Sequence, residues 1–417
     1  MRRRMTSALA LGLTGLLVAT APALAQKAEI RIGMTNSFSG GLAQSATKTW
    51  QGVMTWQLYQ NAQGGILVKE LGKKLPVKVI YYDDETNRAN LIRFYERLGT
   101  TDNVDFFFAP YGSGQTFVVS AMADKYKKLM IAHTASAPAI YQQGNKYIIQ
   151  GLMNTREFGR PYLDMVAKVD PQHKRLAFVW EDHLFPKSVK EEMDAVGKEH
   201  GFQVVFDDKF AFGAKDITPL LTRLKLANPD HIYMLGNIPG SILALRQMAE
   251  LKVNARSVGL LDNGMVYYRE ALGGPMLDGV VGPVEWDISV KYPVNYGPTN
   301  EEFVRLHEQA AKEFKFSDAK FDNHTPVGFN SGLLLAKAIE TAGTLQSEKV
   351  REAFCTMTVV TLTGPQKWYC DTGMMFESGK GGHPTIVTQW RRDGSTMTVW
   401  PVPPGDLKLL RHPKAQW

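Results

Sequence analysis

The chain is predicted to be an α/β protein of parallel sheets arranged in two units. Three observations lead there. Strand and helix signals alternate from residue 29 onward, the alternation starts again near residue 175, and 417 residues exceed what one ordinary core encloses. Hydrophobic residues make up 44% and charged residues 21%, a balance that excludes extensive disorder.

The elements come in order along the chain. Glu29–Met34 alternates polar and apolar residues as a strand does, and Ser39-Gly40-Gly41 supplies a turn. Ala46–Gln63 has a helical pattern that stops at Gly64-Gly65. Val77–Tyr82 is a strand closed by Asp83-Asp84-Glu85, and Asn90–Leu98 is helical. Asp105–Ala109 is a buried strand leading into Tyr111-Gly112-Ser113-Gly114, followed by a helix over Thr116–Tyr126. Leu129–Ala132 is a strand that opens into His133–Pro138. Alternation of this kind places helices on both faces of a parallel sheet. The second round runs through strand Arg175–Trp180, helix Lys187–His200 and strand Gln203–Lys209. It continues with helix Ile217–Ala227, strand His231–Leu235 and helix Ser241–Leu251. No Pro/Gly/Ser-rich linker separates the two rounds, as short crossovers between lobes would explain. Glu301–Phe314 and Gly328–Gly343 are amphipathic helices, and Thr361–Gly373 reads as strand–turn–strand.

Ahead of the first strand the composition changes. Arg2, Arg3 and Arg4 form a positive start, Ala8–Val18 an apolar run, and Ala23-Leu24-Ala25 a small-x-small cleavage site. The run is shorter than the roughly 20 residues of a spanning helix, so residues 1–25 are expected to be a cleaved signal peptide rather than an anchor. No cysteine lies beside the site to carry a lipid. The mature chain is then soluble and periplasmic, with no stable membrane insertion. The formal charge of +7 falls by three on cleavage. What remains is spread thinly, and clusters such as Lys125-Tyr126-Lys127-Lys128 read as solvated faces rather than as a nucleic-acid surface.

The chain has two cysteines, Cys355 and Cys370. In an oxidising compartment such a pair reads as one disulfide, with two unpaired structural thiols as the alternative. The nine histidines are scattered without His-x-x-x-His or Cys-x-x-Cys spacing, so neither a metal site nor a cofactor is expected.

Several segments, taken together and in order, resemble one known family. These are Met34–Gln44, Asn61–Ile66, Val79–Asp84, Ala135–Ile140, Leu176–Glu181, Asp216–Leu224, Tyr233–Gln247 and Thr363–Gly373. They are similar to the leucine/isoleucine/valine-binding proteins, periplasmic receptors of branched-chain amino acid type ABC importers. The resemblance implies a type I periplasmic binding fold, with two Rossmann-like lobes joined by three crossovers and a ligand closed between them. It implies a first lobe of residues 27–154 with 285–352, and a second of 155–284 with 353–417. It further implies a monomer that captures a small carboxylate-bearing ligand, an amino acid or an aromatic acid, and delivers it to permease subunits.

The resemblance also points to site residues. Ser113 and Ser136 match hydroxyls that hold the ligand carboxylate, and Thr134 should offer a backbone carbonyl. The same turns suit an anion on chemical grounds, since hydroxyls and free N–H groups gather at strand-to-helix junctions. Simple helix capping is the bland alternative for both serines. Tyr111 is either a cleft-lining ring or a core residue. Phe185 matches a position that packs on the ligand, Asn237 stands where an aromatic is common, and Ser45 replaces an aromatic that covers the bound side chain. The acidic partner of a ligand ammonium falls at Asp262 or Asn263. If it is Asn263, a negative charge is missing and a neutral or anionic ligand suits the cleft better.

An enzyme is not expected. Tyr111–Thr116 lacks the Gly-x-Ser-x-Gly elbow, and neither a Gly-x-Gly-x-x-Gly at the first strand nor a Walker loop occurs. A ligand-sensing receptor of the same fold in a signalling system is the stronger competing function.

Overall fold

The computed structural model describes residues 27–383, 385–401, 403 and 405–417, so the expected signal peptide lies outside the described residues. The first unit opens with β1 (Ile30–Asn36), α1 (Ala43–Ala62), a small hairpin β2 (Ile66–Val68) and β3 (Lys73–Leu75), and β4 (Val77–Asp83). It continues through α2 (Arg88–Gly99), β5 (Phe106–Phe108), α3 (Ser113–Tyr126), β6 (Met130–Ala132), α4 (Pro138–Tyr141) and β7 (Ile148–Gln150). Five of these strands form a parallel sheet in the order β4-β1-β5-β6-β7. Its central strand is Phe106-Phe107-Phe108, fully buried as a strand covered on both faces must be. Asn87 caps α2 by accepting from the amides of Ala89 and Asn90.

The second unit runs α5 (Thr155–Val169), β8 (Arg175–Asp182), α6 (Leu184–Glu199), β9 (Gln203–Ala211), α7 (Thr218–Ala227) and β10 (His231–Leu235). It then adds α8 (Ile238–Glu250), β11 (Ser257–Leu260), α9 (Val266–Leu277) and β12 (Val281–Val284). The chain returns through α10 (Asn300–Glu313), α11 (His324–Ala342), α12 (Ser347–Thr356), β13 (Val359–Thr361) and β14 (Gly364–Gln366). It finishes with β15 (Ile386–Trp390) and β16 (Thr396–Trp400), which join the second sheet antiparallel, in the order β16-β15-β12-β11-β10-β8-β9. The chain passes between the units three times, after Gln150, after Val284 and before Ile386.

Two details differ from expectation. Residues 353–375 belong with the first unit, not the second: Ala353, Phe354, Met357, Val359, Trp368 and Met375 share the core of β1, α1 and α11. The reason is apolar matching. Phe354 meets Trp368 edge-on at 4.9 Å, and the Trp368 indole donates to the Gln150 carbonyl. The strand–turn–strand is also shorter and earlier than read, at 359–366, followed by a single bridge between Trp368 and Met375. Cys355 of α12 and Cys370 are disulfide-bonded, with Cα atoms 4.9 Å apart.

Helix α11 shapes the space between the units, because its first residues project into it. It lies directly on α1, and glycines make the contact. A Cβ on Gly52 would sit 1.8 Å from the Thr325 carbonyl oxygen, and one on Gly328 2.0 Å from that of Thr49. Backbones approach this closely only where side chains are missing.

Candidate functional site

One cleft lies between the two units, at the carboxyl ends of the strands of both sheets, where α/β folds bind ligands. Its polar residues come from one strand end after another: Tyr111 and Ser113 after β5, Thr134 after β6, His183 after β8, Asn237 after β10, Asp262 after β11 and Glu285 after β12. His324 is the exception and opens α11.

One end of the cleft offers hydroxyls and a helix N-terminus. Gly112, at φ 83°, turns the chain so that α3 begins at Ser113, three residues earlier than expected. The Ser113 hydroxyl oxygen accepts from the amides of Ser136 and Ala137, both at 3.2 Å, which leaves its proton to donate elsewhere. Thr134 Oγ1 accepts from the Gly112 amide at 2.9 Å. Neither serine is itself an N-cap: Gly112 and Ala137 hold those positions. The first N–H groups of α3 have no partner within the helix and carry its positive end, so this end of the cleft suits an anion.

The other end is acidic and buried. Asp262, at φ 53°, Glu285 and His324 are 8%, 2% and 2% exposed. His324 Nε2 lies 3.5 Å from Glu285 Oε1 and 3.9 Å from Asp262 Oδ1. Burial alone would pull the His324 imidazole down, but Glu285, Asp262 and Asp322 outweigh it and raise its pKa to about 9. Burial likewise acts to raise Glu285, yet His324 and the Asn323 amide hold it below the usual carboxylate range. Burial and the Glu285 charge push Asp262 up, so it is the carboxyl of the group that keeps a proton most readily.

The walls between these ends are apolar, made by Leu42, Leu152, Phe158 and Phe185, with Phe158 and Phe185 edge-on at 4.9 Å. The cleft is shut. A Cβ on Gly114 of the first unit would meet His183 Nε2 of the second at 2.7 Å, and one on Gly41 would meet the Phe212 ring at 2.6 Å. The cavity left inside is about 10 Å³, room for a single water-sized occupant. No lysine or arginine lines it among the described residues.

Of the nine residues singled out from sequence, Tyr111, Ser113, Thr134, Phe185, Asn237 and Asp262 line this cleft together. Three do not. Ser45 is buried in α1 beside Tyr111, Ser136 Oγ is buried and has no hydrogen-bond partner among the described residues, and Asn263 is turned away. The Asn263 amide donates to the carbonyl and hydroxyl of Thr388 on β15, so of the two neighbours it is Asp262 that faces the cleft. An ionisable carboxyl therefore stands in the cleft, where Asn263 would have offered none. Sequence reasoning missed His183, Glu285 and His324; one side-chain atom of His324 lies within 4.8 Å of one from each of Asp262 and Glu285.

Comparison with known proteins agrees with this geometry. A family model described as "Periplasmic binding protein" matches residues 29–395. The leucine-, isoleucine-, valine-, threonine- and alanine-binding protein of Pseudomonas aeruginosa is 23% identical over 379 residues, 89% of this chain and 92% of that protein. A Leu/Ile/Val-binding protein homologue of Brucella suis is 22% identical over 407 residues, covering 94% and 96% of the two chains. Among solved structures, a leucine-binding protein from Thermotoga maritima superposes with a TM-score of 0.73 at 17% identity, over 88% of this chain and 97% of that one. A solute-binding protein of an R. palustris ABC transporter, in complex with 4-hydroxybenzoate, gives 0.73 at 16% identity, over 88% and 95%.

Proposed function

This chain belongs to the periplasmic binding protein family, and we propose that its cleft captures a small zwitterion of the amino-acid kind for an ABC importer. The family consists of binding proteins of ABC transporters, not of enzymes. The observation that carries the choice of ligand is the polarity of the cleft. Ser113, Thr134 and the start of α3 offer donors at one end, Asp262 and Glu285 offer carboxylates at the other, and apolar walls lie between. A ligand carboxylate fits the first end and an ammonium the second. An arriving ammonium also draws Asp262 back to its charged form, since a nearby opposite charge favours ionisation. A purely anionic aromatic acid would bring no cation to the acidic end, where His324 alone would face both carboxyl groups. The relatives named for leucine, isoleucine and valine support the same choice.

Export to the periplasm rests on the leader in residues 1–25, and no helix among the described residues is long and apolar enough to cross a membrane. Because the shut cavity holds about 10 Å³, the lobes have to part to admit an amino acid and close on it again.

A thermal-shift screen over the common L-amino acids and over benzoate and 4-hydroxybenzoate tests this reading. Binding raises stability by about 2.7 kcal/mol at a hundredfold excess over Kd. An amino acid is expected to raise the melting temperature while the aromatic acids leave it unchanged. Stabilisation by the aromatic acids alone would overturn the zwitterion.

A further inference from the structure

We propose that Asp262, Glu285 and His324 form a binding site for one divalent transition-metal ion. Three features of the geometry carry this. First, one ligand atom from each residue lies within 4.8 Å of the others, around a cavity of about 10 Å³. That space suits an ion better than any organic group.

Second, two of the three side chains are held by their far atoms so that their near atoms face the group. Asn323 Nδ2 donates to Glu285 Oε2, which leaves Oε1 directed at His324. The Tyr111 hydroxyl lies 3.4 Å from His324 Nδ1, which leaves Nε2 facing both carboxylates. Partners of this kind, bound to the atom that does not ligate, are what orients metal ligands.

Third, Asp262 Oδ1 and Glu285 Oε1 are buried and lack a hydrogen-bond partner among the described residues. The nearest cation, His324, stands 3.9 and 3.5 Å from them, and a metal ion among the three side chains would meet both oxygens at closer range.

The donor set narrows the class. Two carboxylates with an imidazole suit manganese, iron, cobalt or zinc, whereas magnesium and calcium prefer oxygen alone. Three protein ligands leave coordination positions open in a cleft that Ser113 and Thr134 also line. An ion and the ammonium of an amino-acid ligand call on the same two oxygens, so one excludes the other in the shut cleft. The site does not depend on the ligand proposed above.

The test uses the untagged chain, stripped with a chelator and titrated with cobalt chloride alone. Calorimetry should show one ion per chain with an affinity far above that for magnesium, and the visible cobalt spectrum should report nitrogen and oxygen ligands. Glu285→Gln and His324→Gln should each abolish the spectrum. Tyr111→Phe and Asn323→Ala keep the three ligands and should weaken binding about 10- to 100-fold. The exposed Asp393→Asn should bind as the parent does. Should either ligand variant fail to fold, Tyr111→Phe and Asn323→Ala decide the matter. No binding at millimolar cobalt, or affinity unchanged in both of those variants, overturns the site. Since no organic ligand enters the titration, failure of the amino-acid screen leaves its result standing, and the reverse holds too.

Discussion

Replacing Gly52 by alanine probes the contact that sets the acidic end of the cleft. The new Cβ would stand 1.8 Å from the Thr325 carbonyl oxygen and 2.9 Å from the Phe329 amide nitrogen. Both are backbone atoms of α11, so no side chain can swing aside and the two helices have to part. Overpacking of this kind costs about 1–3 kcal/mol, and the better helix propensity of alanine returns about 0.5–1 kcal/mol. The net loss is then at most about 2.5 kcal/mol, or up to roughly 10 °C in melting temperature for a unit of this size. Thr325 directly follows His324, so the same shift displaces the imidazole from Asp262 and Glu285 and should weaken occupancy of the cleft. The control is Gly379→Ala, where nothing lies within 4 Å of the added carbon and φ is not in the left-handed region. Thermal melts of both variants decide the point. If Gly52→Ala melts with Gly379→Ala, the close approach of α1 and α11 is not what holds that end in place.

Three further outcomes are expected. The unreduced protein should have a mass two hydrogens below the dithiol form, and reduction should cost about 3 kcal/mol for a loop of this length; two alkylatable thiols in the native protein would contradict the bridge. Burial lowers the His231 imidazole to about 4, so between that value and about 6.5 the unfolded chain binds the extra proton. Stability from this residue is therefore present above pH 6.5 and lost as pH falls toward 4, by about 3 kcal/mol at most. Urea melts at pH 7 and pH 5 should differ less in His231→Gln than in the parent, and equal differences would refute it. For the ligand, Ser113→Ala should weaken calorimetric affinity about ten- to a hundredfold, the value of one hydrogen bond to a charged group. Phe185→Ala should instead change which amino-acid side chains are preferred, and unchanged binding in Ser113→Ala would place the carboxylate elsewhere.

The parts of the fold that sequence revealed are those whose pattern is local. β1, β4, β8 and β10 carry runs long enough to show a period or a buried block, and they stand where they were read. β12 is four residues, Val-Gly-Pro-Val, with neither alternation nor β-rich length, and nothing in the run itself marks it as a strand. Losing β12 meant losing Glu285, which comes directly after it. The exchange of residues 353–375 between units had a similar origin. Position along the chain suggested one lobe, while Phe354 and Trp368 pack by partners far away in sequence.

The acidic end of the cleft was hidden for a stronger reason. Asp262, Glu285 and His324 come from the ends of two strands and the start of a helix, and only the crossover after Val284 brings them together. No spacing within the chain encodes that meeting. A rule already visible in the sequence still finds the neighbouring part of the cleft. Ser113, Thr134 and Asn237 each sit within a few residues of the carboxyl end of a parallel strand, which is where such sheets place their ligands. Applied to the strands that the sequence revealed, the rule selects His183 after β8, while Glu285 stays hidden with β12. His324 escapes it because α11 belongs to the returning segment, and its place is set by Gly52 and Gly328 letting α11 lie against α1. The charge of the cleft is thus decided by a helix contact made through two residues that carry no charge.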